Sequence, residues 1–237
     1  MFPIKSKQMK ESLSVFFPAF NEEENIELVV KRALEFLPSI TKHYEIIIID
    51  DGSQDKTGEI ADLLSREYKE VSVVHHSSNC GYGAALQTGF KMAKNDLIFF
   101  TDGDDQFNIK ELPKLANLIE NADIICGYRI KRADPLFRKV NARFYHLLLR
   151  IFFNLKITDI DCAFKLFKQE VIQNLDFESS SALINAEILI LAQKKSYTIK
   201  EVGVSHYPRV KGKQTGAKPT VILRTFVELF KLWRKLK

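Results

Sequence analysis

Short apolar runs rich in β-branched and aromatic residues alternate with amphipathic stretches through the first half of the chain. Apolar positions within several runs are consecutive, which is typical of strands covered on both faces. The predicted strands are Leu13–Phe17, Tyr44–Ile49, Val71–Val74, Leu97–Phe100 and Ile124–Cys126. The predicted helices between them are Glu22–Leu37, Lys56–Tyr68, Gly83–Lys94 and Ile109–Asn121. Because strands separated by helices need crossover connections, the pattern predicts an α/β fold with a mainly parallel, doubly wound sheet.

Two of these helices have capping signals. Asn21 followed by Glu24 forms a capping box, which predicts that the first helix begins directly after Asn21. Asp55 is the predicted cap of the second helix.

The rhythm changes after Tyr128, where a basic stretch runs into an aromatic and leucine-rich one. A helix is predicted across Ser181–Lys194, a strand across Thr198–Val204 and a terminal helix across Thr220–Leu236. We predict one domain over residues 1–205, with halves of about 10–127 and 128–205, followed by a basic loop and an amphipathic helix over 206–237.

The composition, 46% hydrophobic and 27% charged over 237 residues, is that of a globular protein and excludes a disordered tail, a collagen and a coiled coil. The cysteines lie far apart without a CxxC pair, so a disulfide framework and a zinc cluster are not expected. No stretch has signal-peptide or membrane-span character, which favours a cytoplasmic location. Residues 206–237 contain nine Lys/Arg and one acidic residue, which indicates an anionic partner: nucleic acid, phospholipid or a phosphorylated substrate.

Candidate chemistry lies in the segments that follow the first four predicted strands. Open α/β sheets bind ligands beyond the carboxyl ends of their strands. These segments are PAFNEEEN, DDGSQDKTG, HHSSNCGYG and TDGDDQFN. Three of the four contain acidic clusters, whereas ordinary loops more often hold Gly, Asn and Ser with scattered charge.

Asp102 and Asp104 emerge directly after a buried strand, with Gly103 between them. Oxygen ligands at this spacing suit a hard divalent cation such as Mg²⁺ or Mn²⁺, shared with the phosphates of a nucleotide. The alternative is a solvated acidic turn to which Asp105 adds repulsion.

The other segments are individually ambiguous. Asp51 can accept a hydrogen bond from a base or a ribose hydroxyl, or it can simply form a turn. The glycine pair in NCGYG resembles a phosphate-binding loop but has neither the GxGxxG nor the P-loop pattern. His75 and His76 have no third ligand at metal spacing, so strand-edge positions are favoured over zinc ligation.

Together the four segments resemble glycosyltransferase family 2, whose members typically show P-x-x-N-E, D-D-G-S-x-D-x-T, N-x-G and D-x-D in this order. The resemblance covers about half of the chain and implies a GT-A fold, an inverting reaction and a nucleotide-sugar donor. The residues that it implies for donor binding are Pro18, Ala19, Asn21, Glu22, Asp51, Asn79, Gly81 and Asp102. The implied metal ligands are Asp102, Asp104 and Gln106, the last from the D-x-D-x-Q form of the motif.

The second half resembles the polyprenyl-phosphate (dolichyl-phosphate) hexosyltransferase branch. DIDCAFKLF is similar to the D-x-x-C/S-G-F-K/R-L-F motif of this branch, with Asp159 on the family aspartate and Ala163 where glycine is usual. EVGVSHYPRVKGKQTG is similar to E-V-P-V-x-H-x-x-R-x-x-G-x-S, with Gly203 in place of proline and Gln214 in place of serine. Arg209 falls on the arginine that approaches the donor diphosphate.

The basic run after Tyr128 could be a solvated helix face. The resemblance favours an anion site for the acceptor phosphate, with Arg129 and Arg138 as the first choices because arginine offers bidentate contacts.

Two apolar stretches bear on membrane contact. Phe144–Leu155 is short and interrupted by Arg150, so it cannot span a bilayer. Thr220–Leu236 has an apolar face with Phe226, Phe230 and Trp233 opposite a mainly basic one. Such a helix can lie in an anionic membrane interface, or pack on its own domain, a second subunit or a membrane-protein partner.

The resemblance implies an inverting, metal-dependent transfer of a hexosyl group from a nucleotide-sugar of the GDP-mannose or UDP-glucose type to a polyprenyl phosphate. The enzyme is then expected at the inner face of the membrane, as a peripheral protein. The implied catalytic residues are Asp104, Asp159 and Arg209. A sugar-hydroxyl acceptor would instead need a general base, Asp159 or Asp161.

Two readings from other classes stay open. One is a nucleotide-binding or RNA-binding module, although acidic clusters at the strand ends repel a polyanion, so we expect no nucleic-acid partner. The other is a nucleotidyltransferase, which shares the sheet type and the use of a metal held by carboxylates.

Overall fold

The computed structural model describes residues 8–130, 136–212 and 219–236, with the backbone alone at 136–144 and 219–224. The strands in these ranges are β1 (Leu13–Ala19), β2 (Tyr44–Asp50), β3 (Val71–His75), β4 (Leu97–Thr101), β5 (Ile124–Arg129), β6 (Phe164–Lys168) and β7 (Ile199–Val204). The helices are α1 (Ile26–Phe36), α2 (Thr57–Glu67), α3 (Tyr82–Met92), α4 (Leu112–Ile119), α5 (Leu136–Phe153), α6 (Gln169–Gln173), α7 (Ile184–Lys194) and α8 (Pro219–Leu236). Short 3₁₀ turns lie at Leu37–Ser39 and Ile109–Glu111.

The strands form one sheet in the order β3-β2-β1-β4-β6-β5-β7. Neighbouring strands are parallel except where β6 pairs with β4 and β5. Alternate side chains of β1 enter two separate cores, with Phe16 on one face of the sheet and Val15 and Phe17 on the other. The predicted mainly parallel α/β sheet with helices on both faces is therefore confirmed.

Among the described elements, β6 is the strand that the sequence pattern does not predict, and helices α5 and α6 are likewise not predicted. Strand β6 is five residues long, and its first four residues are buried, including Lys165. A lysine within a short apolar run obscures the strand signal, because lysine is depleted in buried strands.

The first helix begins later than its capping signal predicts. Helix α1 starts at Ile26 and has no side-chain cap, so the predicted start at Glu22 and the Asn21–Glu24 capping box are wrong. Asn21 instead has a left-handed backbone (φ 57°) and turns the chain. Helix α2 begins at Thr57 with Lys56 at its N-cap position, one residue later than predicted, and Asp55 contributes there by accepting hydrogen bonds at Oδ1 from the amide and the hydroxyl of Thr57.

Helix α8 packs against the sheet domain. Leu229 and Leu232 are buried in the same core as Tyr145 and Leu149 of α5. The Phe226 ring meets Tyr145 edge-on, with 6.2 Å between ring centroids. One face of α8 therefore belongs to the core. Among the described residues, no helix combines the length and the hydrophobicity needed to traverse a bilayer.

Candidate active site

The segments identified from the sequence meet at one edge of the sheet. Strands β1 to β4 are neighbours and parallel, so the loops that follow them leave from the same edge. Backbone hydrogen bonds tie these loops together: Asp51 N donates to Ala19 O at 2.9 Å, and Gly103 N donates to Pro18 O at 3.3 Å. Pro18 and Ala19 are buried at the centre of this edge. The structure thus brings the PAFNEEEN, DDGS and DGD segments together.

Asn21 and Glu22 hold the first segment against the second. The Asn21 amide donates to Ser53 Oγ at 2.9 Å, and its side-chain oxygen accepts from Gln54 N at 2.8 Å. Glu22 N donates to Thr57 Oγ1 at 2.7 Å. The positive φ of Asn21 turns the chain so that these contacts can form. Asparagine tolerates this left-handed region better than most residues.

Asp51 connects the second segment, DDGSQDKTG, with the third, HHSSNCGYG. Its carboxylate is buried and accepts hydrogen bonds from the amides of Cys80 and Gly81, both at 2.9 Å. His76 Nδ1 lies 2.6 Å from Asp51 Oδ1, while His76 Nε2 lies 2.9 Å from Thr88 Oγ1. His76 therefore links the DDGS turn to α3. The position of His76 at a strand end does not predict this contact. Asn79 is exposed beside this turn.

Asp102 and Asp104 form an acid pair after β4, and the ionisation of both carboxyl groups is unfavourable without a nearby cation. Burial, reinforced by the charge of Asp104, raises the pKa of Asp102 to about 7. Burial also raises the pKa of Asp104 to about 6. A divalent cation would stabilise both ionised carboxylates at once, so this oxygen donor set fits Mg²⁺ or Mn²⁺. The Tyr82 hydroxyl donates to Asp102 Oδ1 at 3.1 Å, a contact that the NCGYG pattern did not predict.

The loop after β7 brings Arg209 to the acid pair. Tyr207 N donates to Gln106 O at 2.9 Å, and Gln106 Nε2 donates to Tyr207 O at 3.0 Å. Arg209 forms an ion pair with Glu22, and its positive charge favours the ionised form of Asp104. Residues far apart in the sequence therefore converge here. Ligation of a metal by Gln106 stays a prediction.

The predicted half over residues 128–205 contains a largely buried ion pair. Arg129 Nε donates to Asp159 Oδ2 at 2.6 Å, and Arg129 Nη2 donates to Asp159 Oδ1 at 2.7 Å. Glu201 supports the adjacent turn by accepting from the amide of Thr158 at 2.7 Å. The side chain of Arg138 lies outside the part of the chain that the structure describes, as do those of Lys131, Arg132, Lys139, Arg143 and Gln214.

Comparison with known proteins identifies the family. The profile of Glycosyl transferase family 2 matches residues 14–176. Glycosyltransferase AglD of Haloferax volcanii is 31% identical over 83% of this chain and 33% of its own length. The undecaprenyl-phosphate 4-deoxy-4-formamido-L-arabinose transferase of Photorhabdus laumondii is 30% identical over 86% of this chain and 62% of its own length. The chain thus spans less than two thirds of these relatives.

Solved structures show the fold. Glucosyl-3-phosphoglycerate synthase from Mycobacterium tuberculosis, in complex with Mn²⁺, UDP-glucose and phosphoglyceric acid, superposes with a TM-score of 0.74 at 18% identity. The match covers 94% of this chain and 80% of that chain. The GT-A architecture implied by the sequence motifs is confirmed. With most of its length matched by the family profile, the chain belongs to Glycosyl transferase family 2.

Proposed function

We propose that the protein transfers a hexosyl group from a nucleotide-sugar of the GDP-mannose or UDP-glucose type to a polyprenyl phosphate at a membrane surface. The observation that carries this proposal is the convergence of Asp102 and Asp104 with Arg209. The Arg129–Asp159 pair adds an oriented guanidinium for the acceptor phosphate. The relative from Photorhabdus laumondii, named as an undecaprenyl-phosphate sugar transferase, supports the acceptor class.

On the donor side of the reaction, negative charge develops on the diphosphate leaving group and has to be stabilised. Asp102 and Asp104, with Gln106 as a third ligand, would hold Mg²⁺ or Mn²⁺, which supplies Lewis-acid stabilisation of negative charge when bound. Arg209 stabilises the charge that develops on the same leaving group. The ion pair with Glu22 orients its guanidinium in the metal-free protein.

The acceptor side needs no strong base. A phosphate monoester is anionic near neutral pH, so one of its oxygens attacks C1 in line while the bond from C1 to the diphosphate oxygen breaks. The nucleoside diphosphate leaves with the bonding electron pair, and the anomeric configuration inverts. Asp159 is engaged by Arg129, which supports a role in positioning that guanidinium for the acceptor phosphate. Arg138 is proposed as its partner.

The membrane contact is proposed for the exposed face shared by α5 and α8. Ile151 is 64% exposed and Phe230 is 52% exposed, although both are large and apolar. Trp233 links the two helices, with ring centroids 5.4 Å from Phe152 and 5.7 Å from Phe230. Arg150, Lys231 and Arg234 are exposed on the same helices. Apolar side chains interspersed with cations fit an anionic membrane interface.

A donor panel assayed with a short polyprenyl phosphate, with and without Mn²⁺, tests the function. We expect metal-dependent formation of a lipid-linked sugar from one donor class. Parallel reactions contain free sugars in place of the lipid. Comparable turnover with a free sugar would contradict the proposed acceptor, and turnover unaffected by EDTA would contradict the metal.

A further inference from the structure

Lys165 is a buried cation at the second position of β6. Its exposure is 1%, and its Nζ lies 5.5 Å from the centroid of the Phe100 ring. Burial of an unpaired ammonium is unfavourable, and an apolar residue would pack at this position without that cost. The presence of a charge in the core therefore calls for an explanation in terms of what Lys165 contacts.

One set of contacts leads to the metal acids. Lys165 Nζ donates to Asn185 Oδ1 at 3.1 Å. With that oxygen engaged, Asn185 has its amide NH₂ group to donate, and its side chain interacts with the Tyr82 hydroxyl. Tyr82 donates in turn to Asp102 Oδ1 at 3.1 Å. Asn185 therefore interacts both with Lys165 and with the tyrosine that contacts Asp102.

A second set of contacts leads to the acceptor side. Lys165 Nζ also donates to the carbonyl of Ile160 at 2.9 Å and to that of Cys162. The Cys162 amide donates to Asp159 O at 3.2 Å, which closes the turn that presents Asp159 to Arg129. One ammonium thus holds the backbone of the turn behind the Arg129–Asp159 pair.

We propose that Lys165 is a positioning residue that aligns both halves of the active site, acting on Asp102 through Asn185 and Tyr82 and on Asp159 through the turn at Ile160–Cys162. The proposal rests on the proposed function, because it assigns Asp102 to a metal. Hydrogen bonds to the far side of a metal-ligating group typically change metal affinity by about 10- to 100-fold. The two arms predict separable effects.

The readout for the first arm is the gain in nucleoside diphosphate affinity that Mn²⁺ provides, measured by calorimetry with UDP and with GDP. Tyr82→Phe removes only a hydroxyl. We expect it to reduce this gain about tenfold and to leave the affinity without Mn²⁺ unchanged. A purely structural defect would weaken both affinities. Lys165→Met should reduce the gain similarly, and the double variant should show no further reduction because both changes interrupt one network.

The readout for the second arm is the KM for a short polyprenyl phosphate. Lys165→Met should raise this KM severalfold, whereas Tyr82→Phe should leave it unchanged. Lys168→Met is the matched control, because Lys168 lies on the same strand and pairs with Asp123 outside the site. We expect the control to behave as wild type in both assays.

Failure of this inference is distinguishable from failure of the proposed function. If Mn²⁺ strengthens nucleotide binding to wild type and to Tyr82→Phe equally, the network does not position Asp102 and the inference is overturned alone. Equal effects of Lys165→Met and Lys168→Met would overturn it as well. If Lys165→Met does not fold, the calorimetry on Tyr82→Phe alone tests the inference. A wild-type protein with no Mn²⁺-dependent gain would overturn both.

Discussion

Arg129 binds Asp159 through two parallel hydrogen bonds, Nε to Oδ2 at 2.6 Å and Nη2 to Oδ1 at 2.7 Å. The Asp159 carboxylate also accepts from the Arg129 amide at 3.2 Å. The carboxylate therefore accepts three hydrogen bonds from Arg129, two of them charge-assisted, and its lone pairs are directed at the arginine. This geometry favours a carboxylate that orients a guanidinium over one that removes a proton.

The first prediction follows from this pair. Asp159→Asn should lower kcat/KM for the polyprenyl phosphate about 100-fold, because truncating one member of a buried charge pair releases the other. The loss should lie mainly in the acceptor KM, and the shape of the pH profile should be preserved. Arg66→Lys, an exposed change on α2, serves as control. Loss of the acidic limb of the pH profile would instead assign Asp159 as a general base.

The second prediction concerns pH and metal binding. In the metal-free protein the pKa of Asp102 is about 7 and that of Asp104 about 6, so both carry protons in mildly acidic solution. Binding of Mn²⁺ at pH 6 should therefore release about one to two protons per ion, and at pH 8.5 almost none. Calorimetry in buffers of different ionisation enthalpy measures this release. Equal release at both pH values would contradict the acid pair as the metal site.

The same pKa values predict how the free energy of unfolding changes with pH. Between about pH 4 and pH 7 the folded, metal-free protein binds more protons at Asp102 and Asp104 than the unfolded chain does, so their contribution to stability falls as pH rises. The Asp102→Asn variant should lose less stability than wild type over this range. Saturating Mn²⁺ should reverse the wild-type trend, because the ion binds only the folded, ionised site. Urea titrations at several pH values provide the measurement.

The sequence predicted that the acidic loops lie together, because the residues of these loops follow strands directly. Parallel neighbours place their carboxyl ends side by side, so the strand pattern alone brings Asp51 and Asp102 to one edge. Arg209 was predicted only through family resemblance. The residues around Arg209 do not predict the hydrogen bonds between Gln106 and Tyr207, which hold the loop after β7 against the DGD segment.

The contacts that the sequence did not predict are those made by buried polar side chains. Lys165 lies in an antiparallel strand that returns between β4 and β5, and its side-chain partner is Asn185 on a distant helix. Its role depends on tertiary geometry. The late start of α1 has a similar cause, because Asn21 is used to bind Gln54 rather than to cap a helix.

The fourth prediction concerns the turns that contain Gly52 and Gly103. Gly52 has φ 68°, and a Cβ added there would lie 2.4 Å from the backbone carbon of Ser78. Gly52→Ala should therefore lower the free energy of unfolding by about 2 kcal/mol. The contrast is Gly103→Ala, whose Cβ would meet the Ile26 Cδ1 atom at 3.3 Å. Thermal unfolding of the two variants should show a clearly larger fall in Tm for Gly52→Ala; equal falls would contradict the steric argument.

The last prediction concerns the apolar face of α5 and α8. Vesicles that contain anionic phospholipid should bind the protein, and Ile151→Glu combined with Phe230→Glu should weaken that binding at least about tenfold, because two apolar side chains are replaced by charges that repel the surface. Both positions are more than half exposed, so the variant should keep the wild-type Tm. Leu63→Glu is the matched control, since Leu63 is 60% exposed on α2. Equal vesicle binding by all three proteins would show that the membrane contact lies elsewhere on the molecule. If binding is lost selectively from the double variant while its turnover with a detergent-solubilised short polyprenyl phosphate is retained, the face serves to bring the enzyme to its lipid and not to bind the acceptor phosphate.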